Sequence, residues 1–213
     1  MAYFLILLFL IVGLTKSKII MTLTIIYSCI YVFIKGRRAF ENLEVEEVVL
    51  IAILSSIAGV TRIPFASIPG FQPTTAIVII VGMVYGKKIG FITGFIAAFV
   101  SNMFLGQGPW TPWQMVAWGA CGFFAAQLNG KNKYIIYSYG FIAGILFNWF
   151  MNIWHIIGFV EVINLKTIFL AYVSSFYFDI IHGVGNVLFL MLLMPNLYKF
   201  LDRIKVKYNI LKV

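Results

Sequence analysis

Residues 134–160 read YIIYSYGFIAGILFNWFMNIWHIIGFV, with no Asp, Glu, Lys or Arg anywhere in the stretch. A helix that crosses a hydrocarbon core needs about 20 such residues. This stretch is longer than required, so it is read as a helix that tilts or projects beyond the bilayer. Runs of the same kind recur near 3–15, 19–34, 48–61, 74–86, 89–105, 113–128 and 168–198. The run 74–86 is short and needs its flanks to reach across. Of the 213 residues, 62% are hydrophobic and only 11% charged, and the mean hydropathy is +0.98. A soluble domain is roughly half apolar and a quarter charged. An aromatic content of 17% suits a chain with two membrane interfaces. The expected fold class is all-α: a polytopic membrane protein with a six-helix transmembrane core and an extra N-terminal hydrophobic segment. No polar stretch exceeds about 15 residues, whereas a domain needs roughly 50, which excludes a soluble catalytic domain.

The formal net charge of +9 would suggest nucleic acid in a soluble protein. Its placement says otherwise. If the stretch before residue 48 is cytoplasmic, so are Lys87, Lys88, Lys131 and Lys133, and so is a tail carrying Lys199, Arg203, Lys205, Lys207 and Lys212. With Lys35, Arg37 and Arg38 that makes twelve basic residues on one side, against Arg62 and Lys166 on the other. Basic loops stay inside, so the charge reports topology and no nucleic-acid partner is expected. The expected location is the cell membrane, multi-pass, with a cytoplasmic C-terminus.

Three regions follow: an N-terminal hydrophobic segment 1–40, a core 41–200, and a basic cytoplasmic tail 201–213. Segment 1–40 admits one span plus an interfacial stretch, or two spans that would place Lys16 and Lys18 outside. Residues 1–15 lack the basic start and small-residue cleavage site of a signal peptide. Glu41, Glu44, Glu46 and Glu47 suit a helix N-terminus, where the dipole favours negative charge. Cys29 and Cys121 lie in apolar runs without a CxxC neighbour, so they read as small buried hydrophobes.

Polar residues inside a membrane are costly, so their positions are informative. The external connections would be 63–73, 105–113 and 161–167. The first two are rich in Pro, Gly and aromatics, a composition that limits backbone freedom and suits a pre-organised cover. Interfacial tryptophans alone also produce such loops. Asn148, Asn152 and His155 share one helical face. Asp179 and His182 share another, with Asp179 about 16 Å below the external end at 1.5 Å per residue. A carboxyl group at that depth needs a partner, and His182 and Asn186 are the nearest candidates on its own helix. Buried Asn and His also serve simply to join helices.

Several chemistries lack their residues. Gly82-Met-Val-Tyr-Gly86-Lys87-Lys88 is one residue short of a phosphate loop and has Lys88 where a magnesium-holding Ser or Thr belongs. No HExxH or GxSxG occurs. No catalytic residue, metal site or cofactor is expected, nor is an enzyme. Energy for transport would come from a partner or an ion gradient. No internal repeat is visible, so an inverted-repeat carrier gains no support. Ala52 and Ser56, Ser55 and Gly59, and the series Gly86, Gly90, Gly94 are small residues four apart, which let helices approach closely.

Residues 45–200 resemble the substrate-specific S component of energy-coupling factor (ECF) vitamin transporters. The resemblance rests on Ile68-Pro-Gly-Phe-Gln-Pro-Thr-Thr75, on Ser101-Asn102, on Gly106-Gln-Gly-Pro-Trp-Thr-Pro-Trp-Gln-Met115 followed by Ala117-Trp118-Gly119, and on Phe178-Asp-Ile-Ile-His-Gly-Val-Gly-Asn186. Within the family the chain looks most like the cobalamin-type branch. The resemblance implies a six-helix subunit that captures a vitamin-like ligand beneath the loop joining its first two helices. It also implies a transmembrane coupling protein and two cytoplasmic ATPases as partners, which agrees with the missing phosphate loop. The family docks through an Ala-xxx-Ala-like face on its first helix. Here that pattern is degenerate, with Ala52, Ser55, Ser56 and Gly59 keeping only the small size.

On this reading Gln72, Asn102, Trp110, Trp113, Gln114 and Trp118 line the upper part of a binding cavity, their aromatic faces stacking on a flat ligand. Asn148, Asn152, His155 and Asp179 supply directional hydrogen bonds below. Two other classes stay open. A stand-alone secondary carrier would use Asp179 and His182 as a proton relay. An intramembrane enzyme would use the same pair as acid and base.

Overall fold

The computed structural model describes residues 43–208 and 210. The N-terminal hydrophobic segment 1–40, Cys29 and the last residues of the tail lie outside the described residues. Helix α1 (Val45–Val60) starts with Glu46 and Glu47 in its first turn. The Glu47 Oε2 atom accepts a hydrogen bond from the Glu44 backbone N–H at 3.1 Å, satisfying a donor that the helix leaves unpaired. Leu50, Ile51, Leu54, Ser55 and Ala58 are buried, while Val48, Val49, Ile53, Ile57 and Val60 are exposed. After a 3₁₀ turn at Ile63–Phe65 come α2 (Thr74–Leu105), α3 (Thr111–Ala125), α4 (Lys133–Phe159) and α5 (Leu165–Lys207). The described residues contain no strand. The spans Val45–Phe65, Thr74–Leu105, Lys133–Phe159 and Leu165–Lys207 are long and apolar enough to cross a membrane. The described residues are all-α, and the chain is membrane-spanning.

The two runs 74–86 and 89–105 were expected as separate helices joined by a loop at Lys87 and Lys88. The helical residues instead continue through both lysines and break at Gly86 alone, whose φ of 82° and ψ of −177° lie outside helical space. Only glycine adopts that backbone without steric penalty. The chain folds back there, bringing Gly90 against Gly82. A Cβ on Gly90 would meet the Gly82 Cα at 2.7 Å and the Gly122 carbonyl oxygen of α3 at 2.6 Å. Gly94 likewise lies against the Trp118 backbone. The small-residue series therefore brings the two arms of α2 and α3 together at backbone contact. A Gly90→Ala chain is expected to melt several degrees lower in detergent, since overpacking costs about 1–3 kcal/mol. Monomer recovery after a heat series checks this, and an unchanged midpoint would refute the close packing.

The Gly86 end is tied down by α5. Lys205 Nζ donates to the Val84 carbonyl at 2.9 Å, filling an acceptor that the bend leaves free. Tyr85 Oη donates to the Leu201 carbonyl at 2.9 Å. Helix α5 thus carries the expected tail as helix through Lys207. Cys121 is buried and free, as its apolar run implies.

The chain divides into two compact units, one comprising residues 44–151 with 175–213. Residues 152–174 belong to the other. There, Trp154 and His155 pack on Phe159 at ring-centroid distances of 5.6 Å. Asn164 and Thr167 cap the start of α5 reciprocally, with the Thr167 N–H donating to Asn164 Oδ1 at 2.9 Å and the Asn164 N–H to Thr167 Oγ1 at 3.0 Å.

Candidate functional site

In the larger unit the loop 63–73 is held on α5 by aromatic packing. Phe71 lies 5.8 Å from Phe65 and 5.0 Å from Phe189, and Phe65 lies 5.1 Å from Phe189, all between ring centroids. This places Gln72 inside, 8% exposed. Its Oε1 atom accepts a hydrogen bond from Arg62 Nε at 2.6 Å. Arg62 Nη1 donates to Ser101 Oγ at 3.1 Å and to Asn102 Oδ1 at 3.0 Å, both at the end of α2. Asn102 Nδ2 in turn donates to Thr111 Oγ1 at 2.9 Å and Gln114 Oε1 at 2.7 Å. Gln72, Asn102 and Gln114, expected as independent ligand contacts, are thus parts of one network built around Arg62.

Arg62 was missed by sequence reasoning, which treated it only as an exception to the positive-inside pattern. That exception was the available signal, because a cation retained on the wrong side needs a local reason. Its guanidinium carbon lies 5.1 Å from the centroid of the Trp118 ring. Trp118 is 0% exposed. Its Nε1 donates to Thr75 Oγ1 at 2.9 Å, and Thr75 Oγ1 in turn pairs with His182 Nε2 at 2.9 Å. Phe147 packs on Trp118 at 4.6 Å and on His182 at 5.1 Å between ring centroids. Trp118 is therefore the base of the network, with one face under Arg62, and any ligand stacking there would first have to displace the guanidinium.

A second polar group lies between α4 and α5. Asp179 is buried at 2% exposure. Its partners are not His182 or Asn186, the candidates on its own helix. The carboxyl group faces α4 instead, accepting from Trp149 Nε1 at 3.1 Å, with Ser175 Oγ at 3.4 Å. His182 points to Thr75 on α2, and Asn186 Nδ2 donates to the Gly140 carbonyl at 2.9 Å. Asp179 and His182 therefore share a helix face without sharing a proton. His182 Nδ1 and Asn186 Oδ1 are buried and lack a hydrogen-bond partner among the described residues, whereas the Asn148 side chain stands beside Asp179 as a further donor to its carboxyl group. Buried polar atoms in native proteins are nearly always satisfied, so the two unmet ones mark places for water or a ligand.

The remaining expected residues divide between the units. Trp113 is half-buried and packs on Phe150 at 5.3 Å, whereas Trp110 is exposed at 37%. Asn152 and His155 fall in the other unit, His155 exposed. Of the small residues expected at a docking face, Ala52 and Ser56 are exposed, while Ser55 and Gly59 are buried. A Cβ on Gly59 would meet the Ala97 carbonyl oxygen of α2 at 3.0 Å. Among the described residues no group of three His, Cys, Asp or Glu could hold a metal ion.

Residues 42–203 match the family model of the ECF-type riboflavin transporter S component. The chain belongs to that family. The match gives the riboflavin type and lends no support to the cobalamin branch. Among curated proteins, this S component is 36% identical over 77 residues to UPF0397 proteins of Aliivibrio fischeri strain MJ11 and Aliivibrio salmonicida strain LFI1238. It is 32% identical over 77 residues to a UPF0397 protein of Vibrio atlanticus. Each alignment covers 34% of this chain and 42% of the relative, so the chain spans under half the length of the curated relatives it matches. No solved structure matches it.

Proposed function

We propose that this S component is the substrate-binding subunit of an ECF-type importer and that its ligand is a riboflavin-like vitamin. The family match over 42–203 is the observation that carries the reading. Asp179, buried between α4 and α5 with Asn148 and Trp149 as donors, supports it, as a polar cluster that a heterocycle bearing both donors and acceptors would engage. The membrane core comprises six helical segments, α1, the two arms of α2, α3, α4 and α5, the shorter arm of α2 reaching only part of the way across, and the C-terminus is inside. The ligand enters from outside beneath the loop 63–73. Within the larger unit Gln72 and Asn102 hold Arg62, Gln114 steadies Asn102, Trp110 and Trp113 supply aromatic surface, and Asn148 and Asp179 supply hydrogen bonds. ATP is hydrolysed by two cytoplasmic ATPases acting through a transmembrane coupling protein, which docks on the lipid-facing side of α1 at Ala52 and Ser56. No residue is assigned to catalysis, and the separate hydrogen bonding of Asp179 and His182 argues against a proton relay through that pair.

The test is made on the protein purified alone in mild detergent, by visible absorbance and mass spectrometry of released ligand. A flavin spectrum in near-stoichiometric amount is expected. Where the protein elutes empty, titration with riboflavin should quench flavin fluorescence saturably. A corrinoid spectrum would keep the subunit role and return the ligand to cobalamin. Failure of riboflavin, cobalamin and a wider vitamin set to bind would overturn the proposal.

A further inference from the structure

We infer that Arg62 is the receptor for an anionic group, a carboxylate or phosphate, on the transported ligand. The inference rests on the substrate-binding reading above and narrows its ligand: riboflavin itself is neutral, so the anionic group is that of a phosphorylated flavin or of an acidic vitamin. A guanidinium has five N–H donors in a rigid fork. Here Nε and Nη1 are fixed by Gln72, Ser101 and Asn102. All three acceptors are neutral oxygens. Among the described residues no carboxylate pairs with Arg62, and its Nη2 donates no hydrogen bond.

Arg62 is half-buried, so its charge is only partly withdrawn from water; neutral hydrogen bonds orient the group without cancelling that charge, and an anion would. The rest of the network is directed to orientation. Trp118 lies under the guanidinium plane, and Asn102 is itself locked by Thr111 and Gln114. With two of its nitrogens held, the fork presents its third in a set direction. Pre-organised, planar and missing its counter-ion, this arrangement suits an incoming carboxylate or phosphate. Its neutral acceptors come from the loop 63–73 and the end of α2, so an anion bound there would tie the cover loop to the core through one side chain.

The test compares matched vitamin pairs on the full purified chain: riboflavin with riboflavin phosphate, pantothenol with pantothenate, and biotinamide with biotin. For whichever pair binds, the acidic member should bind about ten-fold or more tightly than the neutral one, the scale of a hydrogen bond to a charged group. Arg62→Gln should abolish that preference and Arg62→Lys should keep part of it. Because the preference is read first on the unaltered protein, a variant that misfolds does not remove the test. Equal binding of both members would overturn the assignment while leaving the subunit role standing. Binding of no vitamin at all would remove the subunit role and this inference with it. A lipid phosphate is the other source of the same chemistry. Arg62-dependent stabilisation by phosphatidylglycerol, with no acid preference among vitamins, would assign the site to lipid and overturn the ligand role.

Discussion

Trp118→Ala is expected to lose most of the stability of the larger unit. The indole is fully buried, contacts Phe147, donates to Thr75 and lies beneath Arg62. Truncating a buried Trp costs about 3–5 kcal/mol through lost contact and the cavity left behind. The change also removes the donor to Thr75 and the aromatic support of the guanidinium. That sum approaches the whole stability of a typical domain. Heating in detergent followed by size-exclusion chromatography should show loss of the monomer peak far below the unaltered protein. Trp118→Phe should recover part of the packing without the hydrogen bond to Thr75. A Trp118→Ala midpoint within a few degrees of the unaltered chain would show that this residue is not the base of the network.

Asp179→Leu is expected to move stability and binding in opposite directions. The carboxyl group is buried and receives Trp149, with Asn148 and Ser175 beside it. Leucine is close to aspartate in shape and needs no partner, and the Trp149 indole that loses its acceptor is itself exposed, so no buried donor is stranded there. The melting midpoint should therefore hold or rise. Ligand affinity should fall by about 100-fold, because the variant leaves a ligand donor without its acceptor. Parallel melting and vitamin titration read both numbers from one preparation. A chain that is destabilised and binds normally would make Asp179 a structural tie between α4 and α5, and no part of the site.

Hydrophobic run length made the fold class legible, because a bilayer imposes a minimum length on each crossing helix. The acidic first turn of α1 was legible for a related reason, since free N–H groups select carboxylates. The bend at Gly86 was half legible. Two lysines between apolar runs look like a loop, and nothing in the order of residues says that one glycine can reverse the chain while both lysines stay helical. At the site, sequence order recovered Gln72, Asn102, Gln114 and Trp118 as a set but not their purpose. The centre of their network, Arg62, precedes all of them and is brought to Ser101 and Asn102 only by the packing of α1 on α2. Helix periodicity put Asp179 beside His182, yet side-chain direction sent one toward α4 and the other toward α2. Ser55 and Gly59 followed the same rule, since a small residue four from another marks a close approach without saying to what.

The reversal at Gly86 also bears on how the chain enters a membrane during synthesis. Every residue from Thr74 to Tyr85 is buried by its neighbours. That arm measures only about 18 Å at 1.5 Å per residue, well short of a bilayer core of roughly 30 Å. Released alone from a translocon it would have too little apolar length to partition into lipid. With a single residue for a hinge, it is expected to insert together with 87–105 as a paired hairpin, packed on α3 as in the folded chain.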